Sequence, residues 1–88
     1  MIKKVFIELL ENICEKQTPK VIANRVWWHN TYVTSVVLSV GSGRVELARF
    51  DHSKRGKTET IDRLEKRIER CRAKFDRWTT EWREINER

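Results

Sequence analysis

The apolar residues near the start of the chain recur every three or four positions, as they do along one face of an α-helix. They are Ile2, Val5, Phe6, Leu9, Leu10, Ile13 and Cys14. Glu8 and Glu11 occupy the opposite side. The pattern predicts an amphipathic helix over residues 2–16. Pro19 ends it, because proline lacks an N–H and disfavours helical backbone in the residue before it.

Between residues 21 and 50 the pattern changes to β-branched and aromatic residues, which favour strands. Three segments stand out, over residues 21–28, 31–40 and 44–50. His29 and Asn30 predict the first turn, and the Gly-Ser-Gly sequence over residues 41–43 predicts the second. Connections this short join antiparallel strands only. The sequence therefore predicts a three-stranded antiparallel meander.

The last third of the chain has an apolar residue at alternating spacings of three and four, which is a heptad pattern. These residues are Ile61, Leu64, Ile68, Cys71, Phe75, Trp78, Trp82 and Ile85. The pattern predicts a long amphipathic, coiled-coil-like helix over residues 58–88, with Thr58 as its N-cap. It follows a polar, basic loop over residues 51–57.

Such a helix would be about 45 Å long, whereas a compact domain of this size is only about 30 Å across. We therefore expect its far end to extend beyond the domain and to meet a protein partner or a second copy in a homodimer. The predicted interface is Ile68, Cys71, Phe75, Trp78, Trp82 and Ile85. In the alternative, the N-terminal helix lies along this seam and covers part of it.

These elements predict a single α+β domain over residues 1–88, in the order helix, three strands, helix (αβββα). That order resembles the double-stranded RNA-binding domain, and the Ser-Lys-Arg-Gly-Lys sequence over residues 53–57 is similar to the basic segment entering that family's second helix. The resemblance implies that Lys54, Arg55 and Lys57 contact phosphates. The C-terminal helix here is longer than in that family and lacks its small alanine positions, so the likeness is one of topology.

Charge adds a candidate binding surface to this fold. The chain has 19 Lys and Arg against 13 Asp and Glu, a net charge of +6, which favours polyanionic partners. One stripe beside the heptad seam carries Arg63, Arg67, Arg70, Lys74 and Arg77, and Lys54, Arg55 and Lys57 precede it. The stripe predicts a phosphate-contacting surface. The alternatives are a solvated helix face or a partner for acidic side chains.

The adjacent Trp27 and Trp28 predict a second surface, since neighbours in a strand point to opposite faces of the sheet. If Trp28 joins the core with Val26 and Ile22, then Arg25, Trp27 and His29 share the open face. Such a face can stack unpaired bases or anchor a protein partner. Alternatively, Trp27 lies flat and shields the sheet.

Catalysis is not expected from this sequence. His29 and His52 are the only histidines, and neither has a motif that supplies a nucleophile and an orienting carboxylate. The spacing of Cys14 and Cys71 matches no metal site, and two cysteines in apolar stripes are typical of reduced thiols in the cytoplasm. We therefore predict no metal, no cofactor, no small-molecule substrate and, with no long apolar run, no membrane span.

Two functions fit these features. The first is a non-catalytic, homodimeric module that binds RNA or DNA phosphates through the basic stripe. The alternative is a small protein-binding inhibitor or adaptor of the kind encoded by phages and other mobile elements. Anti-CRISPR and other anti-defence proteins are examples, and such a protein could act on a protein or a nucleoprotein.

Overall fold

The fold consists of two helices and a three-stranded sheet, in a computed structural model that describes residues 1–13, 18–54 and 59–86. Along the chain the elements are α1 (Lys3–Ile13), β1 (Lys20–Trp28), β2 (Thr31–Val40), β3 (Gly43–Asp51), a short 3-10 helix (His52–Lys54) and α2 (Ile61–Asn86). The predicted α+β class and αβββα order are confirmed. The predicted helix positions 14–16, 58 and 87–88 and the loop positions 55–57 lie outside the described residues. No described helix is long and apolar enough to cross a membrane.

The sheet is an antiparallel meander in the order β1-β2-β3. His29 and Asn30 have φ angles of 46° and 63°, which is the geometry of the tight turn that matches the twist of a hairpin. The register between β1 and β2 then continues without a shift from Trp28 opposite Thr31 to Lys20 opposite Ser39. Between β2 and β3 a bulge shifts the register at Val36/Val37. The two predicted turns therefore set the strand pairing.

One face of the sheet packs against the helices and forms the core. Strand β2 contributes Thr34, Val36, Leu38 and Val40, which alternate along the strand and are all buried. Strand β1 contributes Val21. The helices add Phe6 and Leu10 from α1, and Leu64, Ile68 and Phe75 from α2. The opposite face of the sheet has no helix on it among the described elements.

Helix α1 packs on the second half of α2 and covers much of the heptad seam. The Phe6 ring lies 5.0 Å from the Phe75 ring and 5.9 Å from the Trp78 ring, between ring centres. At the end of this contact, Lys3 Nζ lies 2.6 Å from Glu81 Oε2. The alternative in which the N-terminal helix lies along the seam is thus the arrangement that the structure adopts.

This packing corrects part of the predicted partner interface. Ile68 and Phe75 are only 7% and 2% exposed, so they belong to the protein's own core. Cys71, Trp78 and Trp82 are half-buried against that core. Only Ile85, at 68%, remains largely exposed. The molecule is still elongated, at 47 × 24 × 17 Å, because α2 is longer than the sheet is wide.

Helix α2 begins with a capped first turn. The hydroxyl Oγ1 of Thr60 accepts a hydrogen bond from the backbone N–H of Arg63 at 3.2 Å, and the Thr60 carbonyl accepts one from the Leu64 N–H at 3.0 Å. Thr60 is therefore the N-cap, two residues later than the predicted Thr58.

Replacing Thr60 with alanine is expected to lower the free energy of unfolding by about 1 kcal/mol, because it leaves an N–H of the first turn without its acceptor. Urea denaturation followed by circular dichroism measures the change. Thr80→Ala is the matched control: its hydroxyl donates to the Asp76 carbonyl at 3.0 Å within the helix, a bond that helix stability does not need. Equal losses in both variants would contradict the assignment of the cap.

Candidate nucleic-acid interface

Helix α2 carries acidic and basic side chains on separate flanks, and the acidic flank faces β1. Glu65 accepts a hydrogen bond from the Arg25 guanidinium at 2.8 Å. Glu65 and Glu69 both line a small cavity between α2 and β1, next to Ala23. A hydrogen bond from Arg72 keeps the pKa of Glu69 below its ordinary value. The acidic side chains are therefore directed away from the basic flank.

The basic flank faces β3 and the 3-10 helix. Its side chains are the predicted Arg63, Arg67, Arg70, Lys74 and Arg77, all exposed except the half-buried Lys74. The Arg67 guanidinium lies 5.7 Å from the centre of the Phe50 ring on β3. A groove of about 460 Å³ lies between β3 and the start of α2, and Arg49, Lys54 and Arg67 supply its positive charge.

Two of the five basic residues are engaged within the molecule. Both carboxylate oxygens of Glu59 accept from Arg67 Nη1 at 2.7 Å, and this pair spans the start of α2. Lys74 Nζ lies 4.8 Å from the centre of the Phe75 ring and 5.2 Å from that of Trp78. Its ammonium therefore caps the aromatic core as a cation–π contact.

The other three remain available to solvent. Within the described part of the chain, Arg63 and Arg70 make no ion pair. Arg77 lies near Glu81, whose pKa is held below its usual range by the hydrogen bond from Lys3 and, more weakly, by the charge of Arg77. Arg63, Arg70 and Arg77 thus present guanidinium groups along one exposed flank.

The 3-10 helix places a further cation at the groove. Asp51 accepts hydrogen bonds from the backbone N–H of Ser53 at 2.9 Å and from its hydroxyl at 2.7 Å. These two bonds lower the pKa of Asp51 and fix the turn that leads to Lys54, which is exposed and lines the groove. The predicted Arg55 and Lys57 lie outside the described residues.

The predicted aromatic surface is divided between the two faces of the sheet. Arg25 and Trp27 lie on the face that α2 packs against, where the Tyr32 ring is 4.7 Å from the Arg25 guanidinium carbon and 4.7 Å from the Trp27 ring. His29 lies in the turn, with its ring 4.6 Å from that of Trp28. The three residues therefore do not share the open face.

Strand β1 does not adopt the arrangement in which Trp28 joins Val26 and Ile22 in the core. Val21 is buried, whereas Val26 and Trp28 are 45% and 60% exposed on the open face. The sequence did not settle this, because Val21 and Ile22 are both apolar and either one could point inward. Trp28 and Val26 instead line an open cleft of about 220 Å³ together with Arg49.

The sequence analysis missed two side chains of the aromatic cluster. Tyr32 lies directly opposite Trp27 in the β1–β2 register, which the two-residue turn alone would have placed there. His52 is buried and its Nε2 lies 2.8 Å from Thr34 Oγ1, a contact between distant parts of the chain that no local pattern indicates. Residues 1–13, 18–54 and 59–86 include no group of three or more His, Cys, Asp or Glu side chains that could hold a metal ion.

Comparison of the chain with protein-family models, with curated proteins and with solved structures found no match.

Proposed function

We propose that this protein is a non-catalytic module that binds nucleic-acid phosphates through the basic flank of α2 and the adjoining groove. The contacts are assigned to Arg63, Arg70 and Arg77, with Lys54 extending the surface past the start of the helix. The observation that carries the proposal is the exposure of Arg63 and Arg70 without an ion pair in the described chain, beside acidic residues that are turned toward β1.

The length of this flank suits a nucleic-acid backbone. Arg63 and Arg77 are separated by about 21 Å along the helix, which corresponds to about six base pairs of duplex. Guanidinium groups match phosphate oxygens in geometry as well as in charge. Contacts of this kind position a protein on its target without selecting a sequence, so we propose binding to RNA and DNA with little sequence preference.

The engaged basic residues have a different role in this proposal. Arg67 is neutralised by Glu59 and serves to hold the start of α2, while Lys74 lies over the Phe75 and Trp78 rings. A half-buried Cys71 thiol beside them is free, and burial raises its pKa. A thiol kept reduced suits the cytoplasm, where we place the protein.

Reversing the charge of Arg70 is expected to weaken nucleic-acid binding by about tenfold or more, because it removes one phosphate contact and adds a repulsive charge. Fluorescence anisotropy with labelled mixed-sequence RNA and DNA duplexes measures the affinity of Arg70→Glu. The matched control is Arg44→Glu, which makes the same change at an exposed position of β3, on a different element from the basic flank.

Circular dichroism of both variants verifies that α2 is intact. Losses of equal size in Arg70→Glu and Arg44→Glu would show that net charge, and not the basic flank, governs binding. A wild-type protein that binds neither duplex would refute the proposal.

The second candidate is a small inhibitor or adaptor that binds another protein. It is favoured by the exposed apolar side chains at the end of the β1–β2 hairpin, Val26, Trp27, Trp28 and Tyr32, since exposed tryptophans are frequent anchors of protein interfaces. This class is indicated if the protein binds neither duplex, and if its binding to a partner protein is abolished by replacing Trp27 but not by replacing Arg70.

A further inference from the structure

Four large apolar side chains at the end of the β1–β2 hairpin are exposed to solvent. We call Val26, Trp27, Trp28 and Tyr32 the hairpin patch; their exposed fractions are 45%, 59%, 60% and 42%. Val26 and Trp28 lie on the open face of the sheet and Trp27 and Tyr32 on the face toward α2, so the patch surrounds the end of the β1 edge. Aromatic side chains bury large areas, and several exposed together mark an interaction surface. The basic flank of α2 is separate from it, so the patch needs its own explanation.

The two edges of the sheet differ in how far they are protected against pairing with another strand. The β3 edge carries Arg44, Glu46, Arg49 and Asp51 and has a bulge in its register with β2. Charges and bulges of this kind prevent edge-to-edge association. The β1 edge pairs with β2 without a bulge, and its last six residues, 23–28, are all exposed. Arg25 is the single charge among them.

The turn geometry determines which backbone groups of β1 face outward. Trp28 and Thr31 close a two-residue hairpin, and the closing pair of such a hairpin is mutually hydrogen-bonded. Hydrogen-bonded and non-bonded pairs alternate along an antiparallel ladder. Arg25 and Trp27 therefore direct their N–H and C=O groups away from β2, to the open edge.

We propose that this edge and the hairpin patch bind a second copy of the chain, and that two β1 strands pair antiparallel about a two-fold axis at Val26. In this register Val26 faces Val26 of the second copy, Arg25 faces Trp27, and Asn24 faces Trp28. The outward N–H and C=O groups of Arg25 and Trp27 then bond to those of the second copy. The two sheets join into one sheet of six strands.

The side chains that meet in this register are complementary. Arg25 already lies over the Tyr32 ring, and the arrangement adds the Trp27 face of the second copy as another cation–π contact. Val26 meets an apolar residue on the open face, and no two like charges lie opposite each other, which pairing across strands requires. Centring the axis one pair away, at Arg25, would instead set two guanidinium groups against each other.

The position of α2 also favours the axis at Val26. Helix α2 reaches along β1 as far as Arg25, where Glu65 binds it, and it does not bury residues 26–28. With the axis at Val26, the two copies of α2 therefore lie apart, one toward each end of the joined strands. An axis nearer Val21 would bring both helices, with their acidic flanks, side by side over the same residues.

The expected affinity follows from the size of the patch. At 150–250 Å² per buried aromatic residue, the free fractions of Trp27, Trp28 and Tyr32 amount to roughly 500–800 Å² over two copies. With the paired backbone added, the interface reaches the lower end of the range for specific association, about 1,200 Å². We therefore expect a dimer with a dissociation constant in the micromolar range.

The test places a charge at Val26, the residue that faces its own equivalent in the second copy across the two-fold axis. Val26→Lys and Val26→Asp are each expected to be monomeric, because like charges face each other, whereas an equimolar mixture of the two is expected to form a heterodimer. Sedimentation equilibrium of the full chain measures the masses. Ser42→Lys, in the exposed turn before β3, adds the same charge away from the axis and is expected to leave the wild-type dimer intact.

Circular dichroism of the single variants shows whether each one folds. If Val26→Lys fails to fold, Trp27→Ala provides the second test, since it removes an exposed side chain and is expected to weaken the dimer at least about tenfold. The proposal is overturned by a wild-type protein that stays monomeric up to about 1 mM, or by Val26 variants that remain homodimers. A dimer that Ile85→Lys disrupts and Val26→Lys does not would place the contact on α2 and would equally overturn it.

Discussion

Phe75→Ala is expected to lower the free energy of unfolding by about 3–5 kcal/mol, the range for deleting a buried aromatic side chain. Phe75 is 2% exposed and its ring lies 5.0 Å from Phe6 and 5.5 Å from Trp78. Its removal leaves a cavity at the contact that joins α1 to α2. A chain of this length has a total stability of about 4–13 kcal/mol, so this loss is a large fraction of the total. Urea denaturation measures the loss.

Ile85→Ala is the control on the same helix and in the same heptad pattern. Ile85 is 68% exposed, so its replacement is expected to change the stability by no more than about 0.5 kcal/mol. A loss at Ile85 comparable with the loss at Phe75 would mean that the whole seam is covered in solution. That result would restore the partner interface predicted along α2.

The affinity for a mixed-sequence duplex is expected to fall about 150-fold when the salt concentration rises from about 50 to about 200 mM. This magnitude assumes phosphate contacts by Lys54, Arg63, Arg70 and Arg77, each of which releases a counterion and adds about −0.9 to the slope of log K against log salt. Fluorescence anisotropy at a series of salt concentrations measures the slope. Arg70→Glu is expected to make the slope shallower by about one unit.

Arg44→Glu serves again as the comparison, since it makes the same charge change without removing a proposed contact and is expected to leave the slope unchanged. Binding that persists with a slope near zero would contradict the assignment of the phosphate contacts. Such a result would instead indicate contacts that release no counterions, such as apolar contacts by the exposed side chains of Trp27 and Trp28.

The order of elements could be predicted because it depends on neighbours in the sequence. The spacing of apolar residues predicted α1 and α2, and the turn residues at His29–Asn30 and residues 41–43 predicted the strand pairing. The N-cap was predicted two residues early. Thr58 and Thr60 both precede the apolar pattern, and a cap is chosen by the backbone path into the helix, which composition does not define.

The candidate site could be predicted only as a set of residues on one flank. The heptad geometry grouped Arg63, Arg67, Arg70, Lys74 and Arg77 beside the seam, since positions on a helix follow from its period. Their different surroundings could not be predicted. The Glu59–Arg67 pair depends on how the chain enters α2, and the position of Lys74 over Trp78 depends on the packing of that ring.

By itself, the sequence determined the α+β fold order and the segregation of charge on α2, because both arise from local periodicity and turn chemistry. Tertiary packing decided which apolar residues are buried in the core and which are exposed to solvent. The docking of Phe6 on Phe75 placed part of a predicted partner interface in the core. Because Val21 points inward, Val26 and Trp28 are exposed on the open face. Both outcomes depend on which apolar surfaces meet across long separations in the chain, and several pairings of such surfaces satisfy the same local pattern.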